Sequence, residues 1–347
     1  MRFHLSVAAL LLACIAPAGA GSLDLAVRGY GLSLGNSKGI NGVRLNLRDE
    51  GLQRVNGVNL TFWIPRENPD AVIRGAAVGL VAPSARTVQG LALGGIGAGA
   101  AEDMTGLVLA GVGAGAGGSI TGVTIGLIGA GAGKDLKGLV VGGIGAGAGQ
   151  DVRGIALGGI GAGAGEDLEG FTFGLIGAGA GRDLTGIGVG GIGCGAGRDM
   201  TGVVLGGIGA GSGRDFAGLG IGLVGVGAGR DLVGIFLGGI GAGAGRDMTG
   251  IGVGLVTVKA ERALVGGGAS LVSVAAPEMK GLTIASLNGI GLGNHFQPEK
   301  TCDRYTGLAV GLLNYTRELH GLQLGLLNHA ANNPPWARWL PVVNVHL

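Results

Sequence analysis

The most regular polar feature of the chain is an aspartate that recurs every 16 residues. It forms a series from Asp135 to Asp247, and Asp103 begins the same column with Ser119 in the gap. The series comprises Asp135, Asp151, Asp167, Asp183, Asp199, Asp215, Asp231 and Asp247. An arginine directly precedes five of these aspartates, at Arg182, Arg198, Arg214, Arg230 and Arg246, where it can offset repulsion between stacked carboxylates.

A calcium ladder and a turn are the two interpretations of this column. Ca²⁺ takes six to eight oxygen ligands, and one carboxylate per repeat beside an arginine offers too few. Aspartate commonly bonds its own backbone in turns. We therefore expect each aspartate to close the turn in which it stands, and we predict no metal site.

Glycine-rich matches to catalytic motifs are expected by chance, because 83 of the 347 residues are glycine. Gly188–Gly193 and Gly220–Gly225 match the dinucleotide fingerprint, and Gly35–Gly39 matches the nucleophile elbow. The fingerprint requires a following helix and a later acidic residue, whereas the elbow requires Asp and His partners. No such context is indicated, so we predict no catalytic residues, no cofactor and no enzymatic activity.

Histidine and cysteine give no constellation either. Beyond residue 20 the histidines are His295, His320, His329 and His346, which lack the spacing of zinc ligands and suit a surface or a cap. Cys194 replaces an alanine of a Gly-Ala stretch, which predicts a small buried thiol. Cys194 and Cys302 do not make a disulfide framework.

Composition excludes several classes of protein. The net charge of +2 and 13 % charged residues argue against a nucleic-acid partner. A mean hydropathy of +0.52 excludes a polar disordered chain. Residues 1–20 read as a secretory signal peptide cleaved after Ala20, although Leu11–Cys14 also fits a lipoprotein cleavage site. We expect export to the periplasm, outer membrane or cell surface.

A repeat of 16 residues organises the chain. The unit from Gly234 reads Gly-Ile-Phe-Leu-Gly-Gly-Ile-Gly-Ala-Gly-Ala-Gly-Arg-Asp-Met-Thr, and its first glycine defines position 1. Looser copies start at Gly42, Gly57, Gly75, Gly266, Gly281, Gly307 and Gly321. We expect irregular N-terminal repeats over 21–89, regular repeats over 90–265 and irregular C-terminal repeats over 266–347.

So many glycines exclude a helix, while the alternation in Leu91–Leu93 is typical of a strand. The repeat therefore predicts an all-β fold, a glycine-rich β-solenoid of about 16 residues per coil with parallel stacking in register. The alternative is an antiparallel transmembrane β-barrel with one strand and one turn per repeat, which would suit the alternating end Val343–Leu347.

The solenoid hypothesis assigns side chains to an inside and an outside. We expect Leu91, Leu93, Ile96 and Met104 to fill a narrow interior, with Ala98 and Ala100 on the opposite wall, and Ala210 likewise to face inward. The variable third position is predicted to form a small, apolar outer face for a partner or lipid: Ala92, Val108, Thr124, Val140, Ala156, Thr172, Gly188, Val204, Gly220 and Phe236.

Two insertions interrupt the period, Pro65–Asp70 and Gly293–Tyr305, and long loops on repeat scaffolds are often functional. Trp336 and Trp339 are expected to cap the last coil.

Near the C-terminus the repeat changes to Gly307–Asn314 and Gly321–Asn328, the latter reading Gly-Leu-Gln-Leu-Gly-Leu-Leu-Asn. These segments, with Val55–Leu60 and Leu340–Asn344, resemble bacterial envelope surface-repeat proteins built from Gly-Leu-Gln-Φ-Gly-Leu-Φ-Asn units, some of which are lipoproteins. The resemblance covers about a third of the chain and implies an envelope location, without an assigned activity. Together these observations predict an exported, non-enzymatic structural or adhesive envelope protein, with an outer-membrane or pore-forming protein as the alternative.

Overall fold

The computed structural model describes residues 21–66, 68–292 and 298–347, and the side chains of 292–300 are not described. The predicted signal peptide and His295 therefore lie outside the described residues. Strands make up 68 % of the structure and form a β-solenoid of about 18 coils whose repeats lie about 16 residues apart. The chain divides between Phe171 and Thr172 into two compact units.

The first unit alternates longer and shorter strands. It contains β1 (Leu23–Val27), β2 (Tyr30–Leu34), β3 (Gly39–Asn46), β4 (Arg54–Thr61), β5 (Val72–Gly79), β6 (Ser84–Ala85), β7 (Thr87–Gly94), β8 (Gly97–Ala100), β9 (Met104–Ala110), β10 (Gly113–Ala116), β11 (Ile120–Gly126), β12 (Gly129–Ala132), β13 (Leu136–Gly142), β14 (Gly145–Ala148), β15 (Val152–Gly158) and β16 (Gly161–Ala164). The next strand, β17 (Leu168–Gly174), crosses the division between the units.

The second unit continues the alternation. It contains β18 (Gly177–Ala180), β19 (Leu184–Gly190), β20 (Gly193–Ala196), β21 (Met200–Gly206), β22 (Gly209–Ser212), β23 (Phe216–Gly222), β24 (Gly225–Ala228), β25 (Leu232–Gly238), β26 (Gly241–Ala244), β27 (Asp247–Gly254), β28 (Thr257–Ala260), β29 (Ala263–Ser270), β30 (Ser273–Ala275), β31 (Glu278–Ile284), β32 (Leu287–Asn288), β33 (Ile290–Leu292), β34 (Pro298–Thr301), β35 (Arg304–Thr316), β36 (Glu318–Ala330) and β37 (Trp339–His346), with one 3₁₀ turn at Pro335–Ala337.

Each regular coil contributes one long and one short strand, and equivalent strands of neighbouring coils pair in parallel. In the first unit β9 pairs with β11, which places Gly106 opposite Gly122. In the second unit β21 pairs with β23, which places Gly202 opposite Gly218. The prediction of parallel stacking in register is confirmed, and the alternative in which neighbouring repeats pair as antiparallel strands is wrong.

Antiparallel pairs occur at three special places in the described strands. At the N-terminal end β1 pairs with β2, and at the C-terminal end β37 pairs with β36. The third pair, β33 with β34, is a separate two-stranded sheet whose second strand lies in the predicted C-terminal insertion. Each end coil is therefore covered on its sheet by a reversed strand.

Some of the side chains that point into the interior are not those predicted from the sequence. Met104, Ala98 and Ala100 are buried as predicted, but Ile96 is 54 % exposed and Leu91 and Leu93 are only half-buried. The third position points inward instead, and Ala92 is 1 % exposed. In β9 the residues at positions 15, 3 and 5 are buried and those at positions 16, 2 and 4 are half-buried or exposed, with a half-buried glycine at position 1 between them. The predicted outer face of third-position residues is therefore wrong.

The coil is too narrow to take the larger aliphatic residues at every inward position. At position 5 a Cβ added to Gly206 would stand 1.9 Å from the carbonyl oxygen of Gly209 across the coil. Ala210 at position 9 is 5 % exposed, as predicted, and Val204 at position 3 is fully buried. The interior thus consists of the columns at positions 3, 9, 11 and 15.

Positions 3 and 9 compensate each other in volume across the second unit. Where position 9 carries Cys194 or Val226 in place of alanine, position 3 is Gly188 or Gly220. A Cβ added to Gly188 would lie 2.5 Å from Cys194 Sγ, and one added to Gly220 would lie 2.8 Å from Val226 Cγ1. Glycine at the third position in these two coils is therefore explained by the larger residue at position 9.

The inward orientation of position 3 can be tested at Thr124, because its side chain is fully buried and its hydroxyl has no hydrogen-bond partner. Its in-register neighbours at position 3 are Val108 and Val140. We predict that Thr124→Val raises the free energy of unfolding by about 1 kcal/mol, since it removes an unpaired buried hydroxyl. The exposed Thr121→Val is the control and is expected to change little. A Thr124→Val protein that melts at or below wild type in thermal unfolding would place this column outside.

Candidate functional surface

The predicted aspartate column becomes a ladder of hydrogen bonds between coils in the second unit. The backbone N–H of Asp215 donates to Oδ1 of Asp199 at 3.2 Å, and Arg214 Nε donates to the same oxygen at 3.0 Å. Arg214 also pairs through its terminal nitrogen with Asp199 Oδ2. The arginine bond recurs in the pairs Arg198–Asp183, Arg230–Asp215, Arg246–Asp231 and Arg262–Asp247.

Each of these arginines therefore pairs with the aspartate of the preceding coil, 15 residues earlier, and Arg246 also lies 3.6 Å from Asp247, the aspartate that follows it in sequence. Each carboxylate bonds the next coil, so the expectation that it closes its own turn is wrong for these residues. In the first unit Asp103 Oδ1 likewise accepts the backbone N–H of Ser119 at 2.8 Å, and Asp151 Oδ1 accepts that of Asp167 at 3.2 Å.

The ladder shifts the acidity of its members in the expected direction. The hydrogen bond from Arg214 lowers the pKa of Asp199, and the bond from Arg230 lowers that of Asp215. Reciprocally, Asp199 raises the pKa of Arg214. These side chains are about one-third exposed or more, so solvent screens the pairs and their role is to hold register between coils.

A second ladder, of amide side chains, lies in the C-terminal coils. Asn288 Nδ2 donates to Asn314 Oδ1 at 2.8 Å, and Asn314 Nδ2 donates to Asn328 Oδ1 at 2.7 Å. Asn328 Nδ2 reaches the carbonyl of Leu340 in β37 at 3.2 Å. Asn314 and Asn328 are the last residues of the Gly-Leu-Gln-Φ-Gly-Leu-Φ-Asn segments, so the motif's asparagine stacks coils through its amide.

A buried charged network lies in the N-terminal coils. Arg44 is fully buried and pairs with the fully buried Asp49. It also donates to Oδ1 of Asn59 and of Asn36, both at 2.8 Å, and to the carbonyl of Ser37 at 3.0 Å. Arg44 and Asn59 occupy position 3, so the network replaces the apolar interior of these coils.

The thiols of Cys194 and Cys302 are both buried. Burial raises the pKa of Cys194 and of Cys302 to about 12, so little thiolate forms at neutral pH. Both cysteines are free, as the sequence indicates. Cys194 is confirmed as a small buried thiol.

The described histidines belong to the C-terminal end of the chain. His329 is 8 % exposed, stacks on Tyr315 at 4.5 Å between ring centroids and contacts Trp339 at 4.3 Å, and burial lowers its pKa. Trp339 thus packs against the last coil. Trp336 is 81 % exposed, so its predicted capping role is wrong.

The remaining motif matches and insertions have structural explanations. Gly188–Gly193 and Gly220–Gly225 each lead from a long strand into a short one, β20 or β24, where the fingerprint would need a helix. In the first insertion Arg66 pairs with Glu50, and Asn68 Oδ1 accepts the backbone N–H of Leu52 at 2.8 Å. In the residues that the structure describes, no three His, Cys, Asp or Glu side chains are grouped to hold a metal ion.

The feature that sequence reasoning missed is an aliphatic face built from positions 2 and 4. In the second unit these columns include Ile235 and Ile251, which are 45 % and 48 % exposed. The face reaches β37, where Val343 and Val345 stand opposite Leu324 and Leu322. In the first unit it reaches β1, where Leu23 and Leu25 stand opposite Leu34 and Leu32.

This face could have been found from the sequence. Positions 2 and 4 are more uniformly large and aliphatic than position 3. They would have been placed outside once the inward and outward positions of the strand were assigned correctly. We call these two columns the aliphatic face. Contiguous exposed apolar surface of this kind marks an interaction site on a protein or membrane.

Comparisons with known proteins leave the family open. No protein-family model, no curated protein and no solved structure matches the chain. Within the described ranges, no helix combines the length and apolar character needed to cross a bilayer.

The lowered pKa values of Asp199 and Asp215 predict an acid sensitivity of the ladder. A carboxyl whose pKa is lowered on folding stabilises the fold above its unfolded pKa, near 3.8, and loses that contribution as pH falls through the lower folded value. We predict that the double variant Asp199→Asn, Asp215→Asn loses less melting temperature between pH 7 and pH 3 than wild type. The effect is small because the pairs are partly exposed.

Thr201→Asn, an exposed change between the two aspartates in sequence, is the control for the added amides. The measurement is thermal unfolding followed by circular dichroism at both pH values. An equal acid-induced fall in wild type and double variant would contradict a stabilising role for these two carboxylates.

Proposed function

We propose that the chain is an exported, non-enzymatic structural or adhesive protein of the bacterial cell envelope. The observation that carries this proposal is the aliphatic face, which each unit carries on side chains such as Leu107 in the first and Ile235 in the second. Exposed aliphatic columns are unfavourable in water unless a partner covers them. A protein whose most regular surface needs covering suits assembly or adhesion.

The polar groups support the same proposal. The aspartates of the second unit bond arginines and backbone amides of neighbouring coils, and the asparagines of the C-terminal coils bond each other. The thiols of Cys194 and Cys302 are buried with raised pKa values. The side chains that could do chemistry are thus used to hold coils together. The export and envelope parts rest on residues 1–20 and on the resemblance of the flanking repeats.

Export is tested by fractionating cells that make the full chain. We expect the protein in the envelope fraction, and we expect Leu11→Arg to retain it in the cytoplasm because a charge interrupts the apolar core of the signal. N-terminal sequencing separates cleavage after Ala20 from processing at Cys14. Wild-type protein that stays in the cytoplasm with residues 1–20 attached would contradict the proposal.

The role of the aliphatic face is tested in the same cells with a matched pair from β25. Ile235→Asp places a charge on the face, whereas Val233→Asp places it at position 16, and the two side chains are similarly exposed at 45 % and 49 %. We expect Ile235→Asp to release more protein from washed envelopes than Val233→Asp. Equal release of both variants would show that the face does not retain the protein.

A further inference from the structure

The last strand, β37, is held to the solenoid by few buried side chains. Among the described strands it pairs on one side only, antiparallel to β36. Of its eight residues only Asn344 is buried, and Val343 and Val345 are 42 % and 50 % exposed. Val342 has a φ of 63°, a strained conformation for a β-branched residue, at the point where the register between the two strands shifts. A strand with few buried contacts and local strain opens at a lower cost than the coils behind it.

The histidines of the described residues are gathered on this same pair of strands. His320 and His329 lie in β36, and His346 lies in β37. The rings of His320 and His346 are 6.0 Å apart between centroids near one end of the pair. His329 stands opposite Trp339 at the other end, where the ring centroids are 4.3 Å apart. Histidine is the side chain that ordinarily changes charge between pH 5 and 8, so both ends of the pair carry a group that responds to mild acid.

His329 is the histidine whose surroundings most favour the neutral ring. It is 8 % exposed and stacks on Tyr315, and its Nδ1 is buried without a hydrogen-bond partner. In an imidazolium both ring nitrogens are donors, so protonation would leave a buried N–H without an acceptor. Burial lowers the pKa of His329; the backbone of Thr316 raises it and the charge of Arg338 lowers it further, and the net shift is downward.

We propose that the pairing of β37 with β36 is pH-sensitive, and that protonation of His329 in mild acid releases β37 and opens the edge of the last coil. The charged ring reaches water only by leaving its contacts with Tyr315 and Trp339, and Trp339 is the first residue of β37. The opened edge belongs to a strand of 13 residues, which is a template for pairing with another chain. This inference goes beyond the function proposed above and does not depend on it.

The direction of the pH dependence follows from the linkage between protonation and closure. In the released state His329 returns to its ordinary pKa of 6.5, whereas in the closed pair its pKa is lower. Closure therefore disfavours the proton, so the closed pair is most stable above about pH 6.5 and loses stability as the pH falls below that value. Repulsion between His320 and His346 adds a smaller effect, because His320 is exposed and solvent screens the two charges.

The experiment is hydrogen exchange followed by mass spectrometry on the purified protein, as the cell processes it, at pH 8 and at pH 5. Protection factors are corrected for the intrinsic exchange rate at each pH. We expect the protection of a peptide covering β37 to fall at least about tenfold at pH 5. The internal control is β21, which is paired on both sides and is expected to keep its protection.

Two variants assign the effect to one ring. His329→Phe keeps an aromatic ring without a titratable nitrogen, so it is expected to retain the protection of β37 at both pH values. The matched control is His320→Gln, an exposed change in the same strand, which is expected to keep most of the wild-type loss at pH 5. Circular dichroism at pH 8 establishes that the variants are folded.

Equal protection of β37 at the two pH values in the wild type would overturn the proposal, and this comparison stands whether or not a variant folds. A rise in protection at pH 5 would also overturn it, because attraction of the imidazolium to the rings of Tyr315 and Trp339 would then stabilise the closed pair. A loss in His329→Phe as large as in the wild type would assign the effect to other groups. None of these outcomes depends on export or on the aliphatic face, so the two proposals fail separately.

Discussion

The structure depends on a column of glycines at position 1, where one backbone packs directly on the next. Gly202 has a φ of 126°, a conformation that side chains other than glycine rarely adopt. A Cβ at this residue would stand 2.1 Å from the carbonyl oxygen of Gly186 in the preceding coil. The same left-handed φ recurs from Gly42 through the regular repeats to Gly321, and Gly31 extends the column beyond the copies found in the sequence.

The glycine column at position 1 sets which positions of the long strand point inward and which point outward. In the long strand positions 15, 3 and 5 point inward. The interior therefore holds large residues at position 15, residues of varied size at position 3 and mostly alanine at positions 9 and 11. Positions 2 and 4 then point outward and form the aliphatic face. The turns after the short strands bring Arg214 beside Asp199 of the coil below, which converts a sequence repeat into a ladder of ion pairs. The interior holds the coil closed, the ladder links neighbouring coils, and the aliphatic face remains exposed.

Much of the architecture could be predicted because it follows directly from the 16-residue spacing of the repeat. Equal spacing of Gly90, Gly106 and Gly122 predicts parallel stacking, and the substitution of Cys194 for alanine predicts an inward thiol. The phase of the long strand was missed, because large aliphatic residues such as Leu91 and Leu93 suggest a core by type alone. Only the closeness of the opposite wall, seen at Gly206 and Gly209, shows that such a core would not fit. The partner of each aspartate was missed for a related reason, since pairing to the previous coil depends on the path of the turn.

The most direct test compares two glycines of one coil, Gly202 at position 1 and Gly209 at position 8. A Cβ at Gly209 would have its nearest neighbour at 3.5 Å, an ordinary contact. Gly202→Ala is expected to lower the free energy of unfolding by more than about 2 kcal/mol through backbone strain and collision with Gly186. Gly209→Ala is expected to be neutral or to stabilise by up to about 1 kcal/mol through reduced freedom of the unfolded chain. Thermal and urea unfolding that show equal stability for the two variants would contradict the stacked-glycine account.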